Sequence, residues 1–460
     1  MGGRPQPRGG GGVSAPRVVV VGGGLAGIAA ALRCADAGAA VTLVEVRPQL
    51  GGAAYSFHRE GLTVDNGQHV FLRCCTAYRA LLRRLGSEAA TTLQPRLAIP
   101  VLAPGGRRGW LRRGGLPAPA HLGAALLRYP FLSLGERVGV ARAAAALARL
   151  DPHDPALDAQ SFGAWLAAHG QSPAAIEALW ELIALPTLNL PAADASLALA
   201  AYVFQAGLLT ARDAGDVGWA QAPLSAVHGE AAARALRSAG VEVRARWKAD
   251  RVEGLAVHGA DEMLDGDAVV VAVPHDRAAD LLPDGALPDV GALRRLGASP
   301  IVNLHVVYDR PVLDLPFAAA VRSPVQYVFD RTRSAGLERG QYLAVSLSGA
   351  QREMAMSPAE LRARFEPALA ALLPAARGAR VERFFVTREH AATFRATPGT
   401  RALRPRPRTA IPGLVLAGAY TATGWPATME GAVRSGEAAA TEALAAARAA
   451  GRGGVMEAAA

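Results

Sequence analysis

Three glycines at the junction of a short apolar strand and an apolar helix constrain this chain more than any other feature. Gly22, Gly24 and Gly27 form G-x-G-x-x-G directly after the apolar run Arg17 to Val21 and open the run Leu25 to Ala37, which holds good helix formers throughout. A second apolar strand, Ala40 to Val44, ends at Glu45. This order of strand, turn, helix and strand predicts a βαβ unit, hence a parallel sheet covered by helices. The first glycine permits the tight turn, the second lets backbone approach a pyrophosphate, and the third lets helix and strand pack closely. The helix N-terminus adds free N–H groups and the positive end of its dipole. Glu45 stands where a carboxylate accepts hydrogen bonds from a ribose diol, so the unit is expected to bind an adenine dinucleotide.

The rest of the chain is long enough for a second domain. Of its 460 residues 51% are hydrophobic and 19% charged, which excludes widespread disorder and leaves apolar surface to line a cavity. The 49 basic residues exceed the 39 acidic ones, but Lys248 is the only lysine. With the surplus of Ala, Gly and Pro this reads as coding bias rather than selection for phosphate contacts, and no nucleic-acid partner is expected. Basic and apolar residues mix at Arg107, Arg108, Trp110, Leu111, Arg112 and Arg113, which suits peripheral contact with an anionic membrane; a solvated basic loop is the alternative. The longest apolar stretch, about Leu197 to Leu209, contains Gln205 and falls short of the roughly twenty residues of a spanning helix. Cys34, Cys74 and Cys75 fit neither a disulfide framework nor a metal-ligand spacing, so no metal and a reducing cytoplasm are expected.

The Gly, Pro and Arg-rich residues 1–16 read as a disordered tail. About Thr76 to Leu224 reads as mostly helical; Gly240 to Val243 and Ala268 to Val273 read as strands returning to the first sheet. Ile301 to Tyr308, Gln326 to Asp330 and Tyr342 to Ser348 alternate as strands, a helix follows over Pro358 to Leu373, and the chain closes with a strand at Leu414 to Ala417 and a helix over Met429 to Ala447. The expected fold class is α/β. A Rossmann-like dinucleotide domain with a parallel sheet combines residues 17–75, 225–285 and 375–447; a mixed α+β substrate domain combines 76–224 and 286–374; and 448–460 form a flexible tail.

Beyond Glu45 come Arg47, the pair Gly51 and Gly52, and the run Asp65, Asn66, Gly67, Gln68 and His69. With Leu416 to Gly418 and Gly424 to Gly436 near the end, these resemble the motifs of the flavin-containing amine oxidase and phytoene desaturase superfamily. The resemblance implies FAD as cofactor. It places the nucleotide and flavin on Gly22, Gly24, Leu25, Ala26, Gly27, Glu45, Val46 and Arg47, then on Gly51, Gly52, Asn66, Gly67, Gln68 and His69. Val243, Gly418, Trp425, Thr428 and Met429 complete the set, the closing helix pointing its N-terminus at the flavin pyrimidine. One departure is that Ala419 and Tyr420 follow Gly418, where the superfamily usually has an acidic residue; about 1 kcal/mol for the lost hydrogen bond would weaken FAD binding without abolishing it. Backbone contacts or Tyr420 would compensate.

The stretches Asp65 to Tyr78 and Gly424 to Gly436 are similar to the squalene-associated desaturases of bacterial hopanoid pathways, the hydroxysqualene dehydroxylases. That resemblance implies loss of an allylic hydroxyl and hydride delivery from reduced flavin, giving squalene from hydroxysqualene. Hydroxide leaves poorly, so an acid is needed. The candidates are His69 and Glu430, with Asp65 to orient His69; the plainer readings are a packing histidine, a helix-turn support and a strand-end cap. His275, His305 and Tyr308 are expected to be core or surface residues, and His228 and Glu230 to begin a helix. A carotenoid-type desaturase is the runner-up. Amine oxidation fits less well, because Thr428 stands where amine oxidases carry tyrosine and Lys248 falls far from the redox ring. A non-enzymatic flavin-bearing protein is the third class. No separate nicotinamide motif is visible, so NADPH would bind transiently or act through a reductase.

Overall fold

The valine run Val18 to Val21 is wholly buried because it is the middle strand of a parallel sheet covered on both faces. The computed structural model describes residues 15–457, with side chains as far as residue 450, so most of the tail expected over 1–16 lies outside the described residues. The sheet runs in the order Glu242–Ala245, Ala40–Glu45, Arg17–Val21, Ala268–Val271 and Leu414–Leu416, every neighbour parallel. The strand expected at Gly240 begins two residues later. Gly240 instead closes the preceding helix with φ +73°, and the Val241 N–H bonds back to the Leu236 carbonyl at 2.9 Å.

The helix Leu25–Asp36 crosses from the first strand to the second and packs along the closing helix, Met429–Glu457. That closing helix passes Ala447, so the backbone expected as a flexible tail from residue 448 is helical to Glu457; no proline stops the alanine-rich run. Residues 458–460 lie outside the described residues.

A second sheet stands over the first. Its order is Val381–Thr393, Ser299–Tyr308, Gln341–Ser348, Tyr327–Asp330, Phe317–Ala320, Ala98–Ala103 and Arg107–Arg112. Two expectations are corrected here. The strand Val381–Thr393, read as part of the dinucleotide segment 375–447, pairs with Ser299–Tyr308 in this second sheet. The segment read as mostly helical, 76–224, supplies two of its strands and two of a three-stranded sheet, Val70–Leu72, Val217–Ala220 and Thr91–Leu93. Gly105 and Gly106, at φ +83° and +75°, turn the chain back between Ala103 and Arg107. The basic stretch Arg107 to Arg113 is therefore an edge strand rather than a loop, with Arg108 on Asp314 at 2.8 Å and Arg113 on Asp216 at 2.6 Å.

His305 sits in the middle of Ser299–Tyr308 with no exposed surface. Its Nδ1 shares a hydrogen bond with the Tyr342 hydroxyl at 2.6 Å, its Nε2 another with Thr387 Oγ1 at 3.0 Å, and its ring stacks 4.6 Å from Phe385. Burial pushes its pKa down to about 3, and that of His228 equally to about 3. An unfolded histidine titrates near 6.5, so between about pH 6.5 and 3 the unfolded chain binds more protons than the folded one. Stability from these two residues is complete above the unfolded pKa and is lost as the pH falls toward the folded one. Urea denaturation between pH 7 and 5 is expected to show roughly tenfold loss in the folding equilibrium per pH unit per histidine below about pH 6, and His305→Gln to flatten that slope.

Candidate active site

The glycine turn is fixed by the end of the second strand. Gly22 takes φ +110° and donates its N–H to the Val44 carbonyl at 2.8 Å, while Glu45, buried, accepts the N–H of Gly23 at 2.6 Å and of Arg47 at 2.8 Å. A carboxylate has about four lone-pair sites, so two remain for a ribose diol. A Cβ at Gly27 would overlap the Gly22 carbonyl, which explains the third glycine. Beside Gly24 there is open space bounded only by the Gly52 Cα, and a Cβ on Gly52, at φ +59°, would come within 2.7 Å of the Gly24 Cα. The two glycines thus line a slot that a side chain on either would fill. Arg47 lies at its edge, donating to the Gly52 carbonyl at 3.2 Å and stacking 5.2 Å from the Tyr55 ring; Val46 is exposed.

The closing motif meets this turn directly. Gly436 packs so tightly on the opening helix that a Cβ there would overlap the Ala26 carbonyl; Leu25 and Ala26 are buried in that contact layer. Gly418 donates its N–H to Ser435 Oγ at 2.9 Å, and its φ of +148° and the Tyr420 ring beside it leave no room for a side chain. Where an acidic residue was missed in the sequence, the structure supplies a cation: Arg404, 7% exposed, donates to the carbonyls of Ala419, Tyr420 and Thr421 and tethers the turn. Burial lowers its pKa to about 10, so it stays charged. Replacing Arg404 with methionine leaves three carbonyls without their donor. The expected cost is about 2 kcal/mol of stability and a tenfold or greater weakening of FAD retention, read by absorbance after desalting, with Arg404→Lys intermediate.

Trp425 lies between Tyr202, whose ring is 5.3 Å away, and the Arg434 guanidinium at 5.2 Å. Met429 is half-buried in the same layer. Thr428 accepts the Gly431 N–H at 3.2 Å and so caps the closing helix. Val243 pairs in register with Leu43 on the outer strand.

The Asp65 to His69 run follows a hairpin, Ser56–Arg59 with Leu62–Asp65, turned by Glu60 and Gly61 at φ +51° and +78°. Asn66 is a staple: it donates to the Ala53 carbonyl at 2.8 Å, accepts the Tyr55 N–H at 3.2 Å, and its own carbonyl receives Asn303 at 3.0 Å. Asp65 does not hold His69. One of its oxygens accepts Ser56 Oγ at 2.7 Å and the Leu224 N–H at 3.0 Å, and the other forms a buried ion pair with Arg331 at 2.6 Å. His69 makes no hydrogen bond among the described residues. It borders, with Asp65, Gln68, Trp219, Phe329 and Arg331, a cavity of about 10 Å³, and its imidazole approaches the position a Cβ on Gly67 would take. Burial lowers its pKa.

Glu430 is placed away from acid chemistry. Buried at 1% exposure, it accepts the N–H groups of Ala77 at 3.1 Å and Tyr78 at 2.7 Å, at the start of the helix Thr76–Leu85, and pairs with Arg434 at 2.6 Å. An anion fixed by a helix N-terminus and a guanidinium is a cap, not a proton donor. Lys248 is exposed and paired with Asp250 at 2.9 Å. His228 lies in the turn Ser225–Glu230 that opens into the helix Ala231–Ser238, and it is buried, with Nε2 bonded to the Tyr78 hydroxyl at 2.8 Å.

Several buried polar atoms near these motifs have no partner among the described residues, among them the Tyr420 hydroxyl, Gln68 Nε2, Asn303 Oδ1 and His228 Nδ1. Unpaired buried groups are costly unless a ligand completes them. Together with the glycine-lined slot, they fit a dinucleotide, which Gly22, Gly24, Gly52 and Glu45 would hold at one end and the closing turn at Gly418 to Thr421 at the other. Fold and site define a flavoprotein oxidoreductase of the dinucleotide-binding class.

The comparisons take this further. The family of flavin containing amine oxidoreductases matches residues 25–444. The hydroxysqualene dehydroxylase of Rhodopseudomonas palustris is 33% identical over 444 residues, covering 94% of this chain and 99% of that protein. That of Sinorhizobium fredii is 29% identical over 93% and 98%, and a zeta-carotene desaturase of Solanum lycopersicum 26% over 91% and 79%. Among solved structures, cyclohexylamine oxidase from Brevibacterium oxydans superposes with a TM-score of 0.68 at 20% identity over 95% of this chain and 99% of that one, a likeness of fold alone. The chain belongs to the flavin-containing amine oxidoreductase family, and its cofactor is FAD.

Proposed function

We propose that this oxidoreductase reduces hydroxysqualene to squalene. The observation that carries the reading is the end-to-end match to a hydroxysqualene dehydroxylase at 33% identity. The packing between the layers supports it, since an apolar cluster runs from Tyr129, Phe162 and Trp180 through Leu199 and Phe204 to Tyr420 at the flavin turn. A polyene accommodated between such side chains strands no polar groups, and they would keep water from the reacting carbon.

When bound and reduced, FAD supplies the hydride that the substrate carbon gains. The chain must supply what hydride does not, a proton for the departing oxygen, so that the C–O bond breaks with water rather than hydroxide leaving. Among the sequence candidates His69 keeps that role: it faces a cavity and lacks a competing hydrogen bond, while Asp65 and Arg331 form the rigid charged wall beside it. Burial lowers its pKa, so the imidazole rests neutral and serves as a relay: one ring nitrogen gives its proton to the departing oxygen while the other takes one up from solvent water. The electrons come from an external reductant, a nicotinamide or a reductase.

The test is anaerobic incubation of the chemically reduced holoenzyme with hydroxysqualene. Squalene appearing as the flavin reoxidises supports the reading; reoxidation only by oxygen or a quinone, with a more saturated polyene consumed, replaces it with a desaturase. His69→Phe is expected to retain FAD and to lose about 10²-fold or more in turnover.

A further inference from the structure

Four of the seven large hydrophobic side chains exposed among the described residues fall close together in the chain: Leu116, Leu127, Leu134 and Val138, at 59% to 73% exposure. Leu134 and Val138 are one turn apart on the helix Leu134–Leu147, exposed Arg142 lies one turn further on the same side, and exposed Arg149 follows just past the helix end. The shorter helix Gly123–Arg128 packs against it, tied by Arg137, which donates to the carbonyls of Leu127 and Leu132.

The charge along this stretch is mostly basic, although Asp314 pairs with Arg108 and Asp151 and Asp154 follow at its end. Residues 101–150 contain eight arginines and one carboxylate, Glu136. That carboxylate is spent internally, capping the helix through Ser133 and bonding Ser172 at 2.7 Å. Arg128, Arg142 and Arg149 form no ion pair among the described residues. On their inner side the same segments contribute Tyr129, Phe131, Val140 and Leu147 to the apolar cluster that ends at Tyr420. Exposed leucines on two helices that pack together, beside arginines without ion-pair partners, combine the apolar and cationic features that an anionic, apolar-cored surface would meet.

We infer that this face docks on an anionic lipid bilayer, with Leu127 and Leu134 entering the acyl boundary and Arg128 and Arg142 meeting headgroup phosphates. The inference rests on the reading of a polyisoprenoid substrate, which dissolves in such a bilayer and would enter beside this face. It moves the membrane contact expected at Arg107 to Arg113 onto the neighbouring helices.

Co-sedimentation of the FAD-loaded protein with phosphatidylcholine vesicles, with and without phosphatidylglycerol, tests it. Binding to the anionic vesicles is expected to be at least about tenfold tighter than to the neutral ones and to weaken with salt. Leu127→Gln with Leu134→Gln, and separately Arg128→Glu with Arg142→Glu, should each reduce it about tenfold or more, with flavin content and melting temperature unchanged and Met263→Gln as the control. Equal binding to both vesicle types, or binding indifferent to both double variants, overturns the inference. So does a wild-type dimer that ignores vesicles and that the leucine variant splits into monomers. Squalene formation from detergent-solubilised substrate is read separately, so loss of that activity with vesicle binding intact counts against the proposed reaction and not against the docking face.

Discussion

Replacing Gly436 with valine is expected to yield protein without FAD. The Cβ would overlap the Ala26 carbonyl, and that carbonyl belongs to the first turn of the helix that follows the phosphate-binding glycines. The closing helix cannot give way cheaply, because Ser435, its neighbour, holds the Gly418 N–H at 2.9 Å and the Thr421 hydroxyl at 2.6 Å. Overpacking a tight helix contact costs about 1–3 kcal/mol and more when backbone rather than side chain is struck. Here the displaced backbone serves both ends of the cofactor at once. The expected result is loss of flavin absorbance after desalting, with a lowered melting temperature. Gly378→Ala, where a Cβ meets nothing within 4 Å, should keep both. Full flavin content in Gly436→Val would mean that the two motifs do not share a cofactor.

Asp65→Ala is expected to destabilise the fold by about 3–5 kcal/mol, because it leaves the Arg331 guanidinium buried without its counter-ion. The pair is 2.6 Å apart with side chains 5% and 9% exposed, and it ties the hairpin Ser56–Asp65 to the end of the strand Tyr327–Asp330. Arg331 also bonds the Ala220 carbonyl at 2.8 Å, so the loosened cation pulls on the wall of the His69 cavity. The double variant Asp65→Leu with Arg331→Met removes both charges and should recover most of the loss in urea denaturation. A single Asp65→Ala variant as stable as the parent would show that the ion pair does not hold the hairpin to its neighbouring strand.

Much of this was legible in the chain because the constraint is local. A glycine that must hold φ +110° or admit a neighbouring carbonyl is a property of a few adjacent residues, and a valine run between turns is a buried parallel strand on its own terms. The roles that went unread are set by distant partners. Arg331 meets Asp65 across 266 positions, and Glu430 caps a helix 352 positions earlier, which is why it could be taken for a proton donor. Arg404 lies only 15 to 17 positions before the turn it tethers, but an arginine after a short helix in an arginine-rich chain carries no mark. Tyr202 has no signal except its position in an apolar helix, and becomes notable only beside Trp425. The strands Ala98–Ala103 and Arg107–Arg112 were read as part of a helical segment because their alanine, leucine and arginine favour helix; pairing of Ala320 with Leu102 decides otherwise.

The most direct measurement of the central claim is the fate of hydrogen in a single turnover run in D₂O. Reduced flavin exchanges its N5 hydrogen with solvent, so hydride delivered from it to the carbon that loses oxygen carries solvent deuterium. Mass spectrometry should find squalene with a single deuterium at the former carbinol carbon, in amounts equal to the flavin reoxidised. Squalene free of deuterium, or flavin that stays reduced while hydroxysqualene is unchanged, would contradict the account.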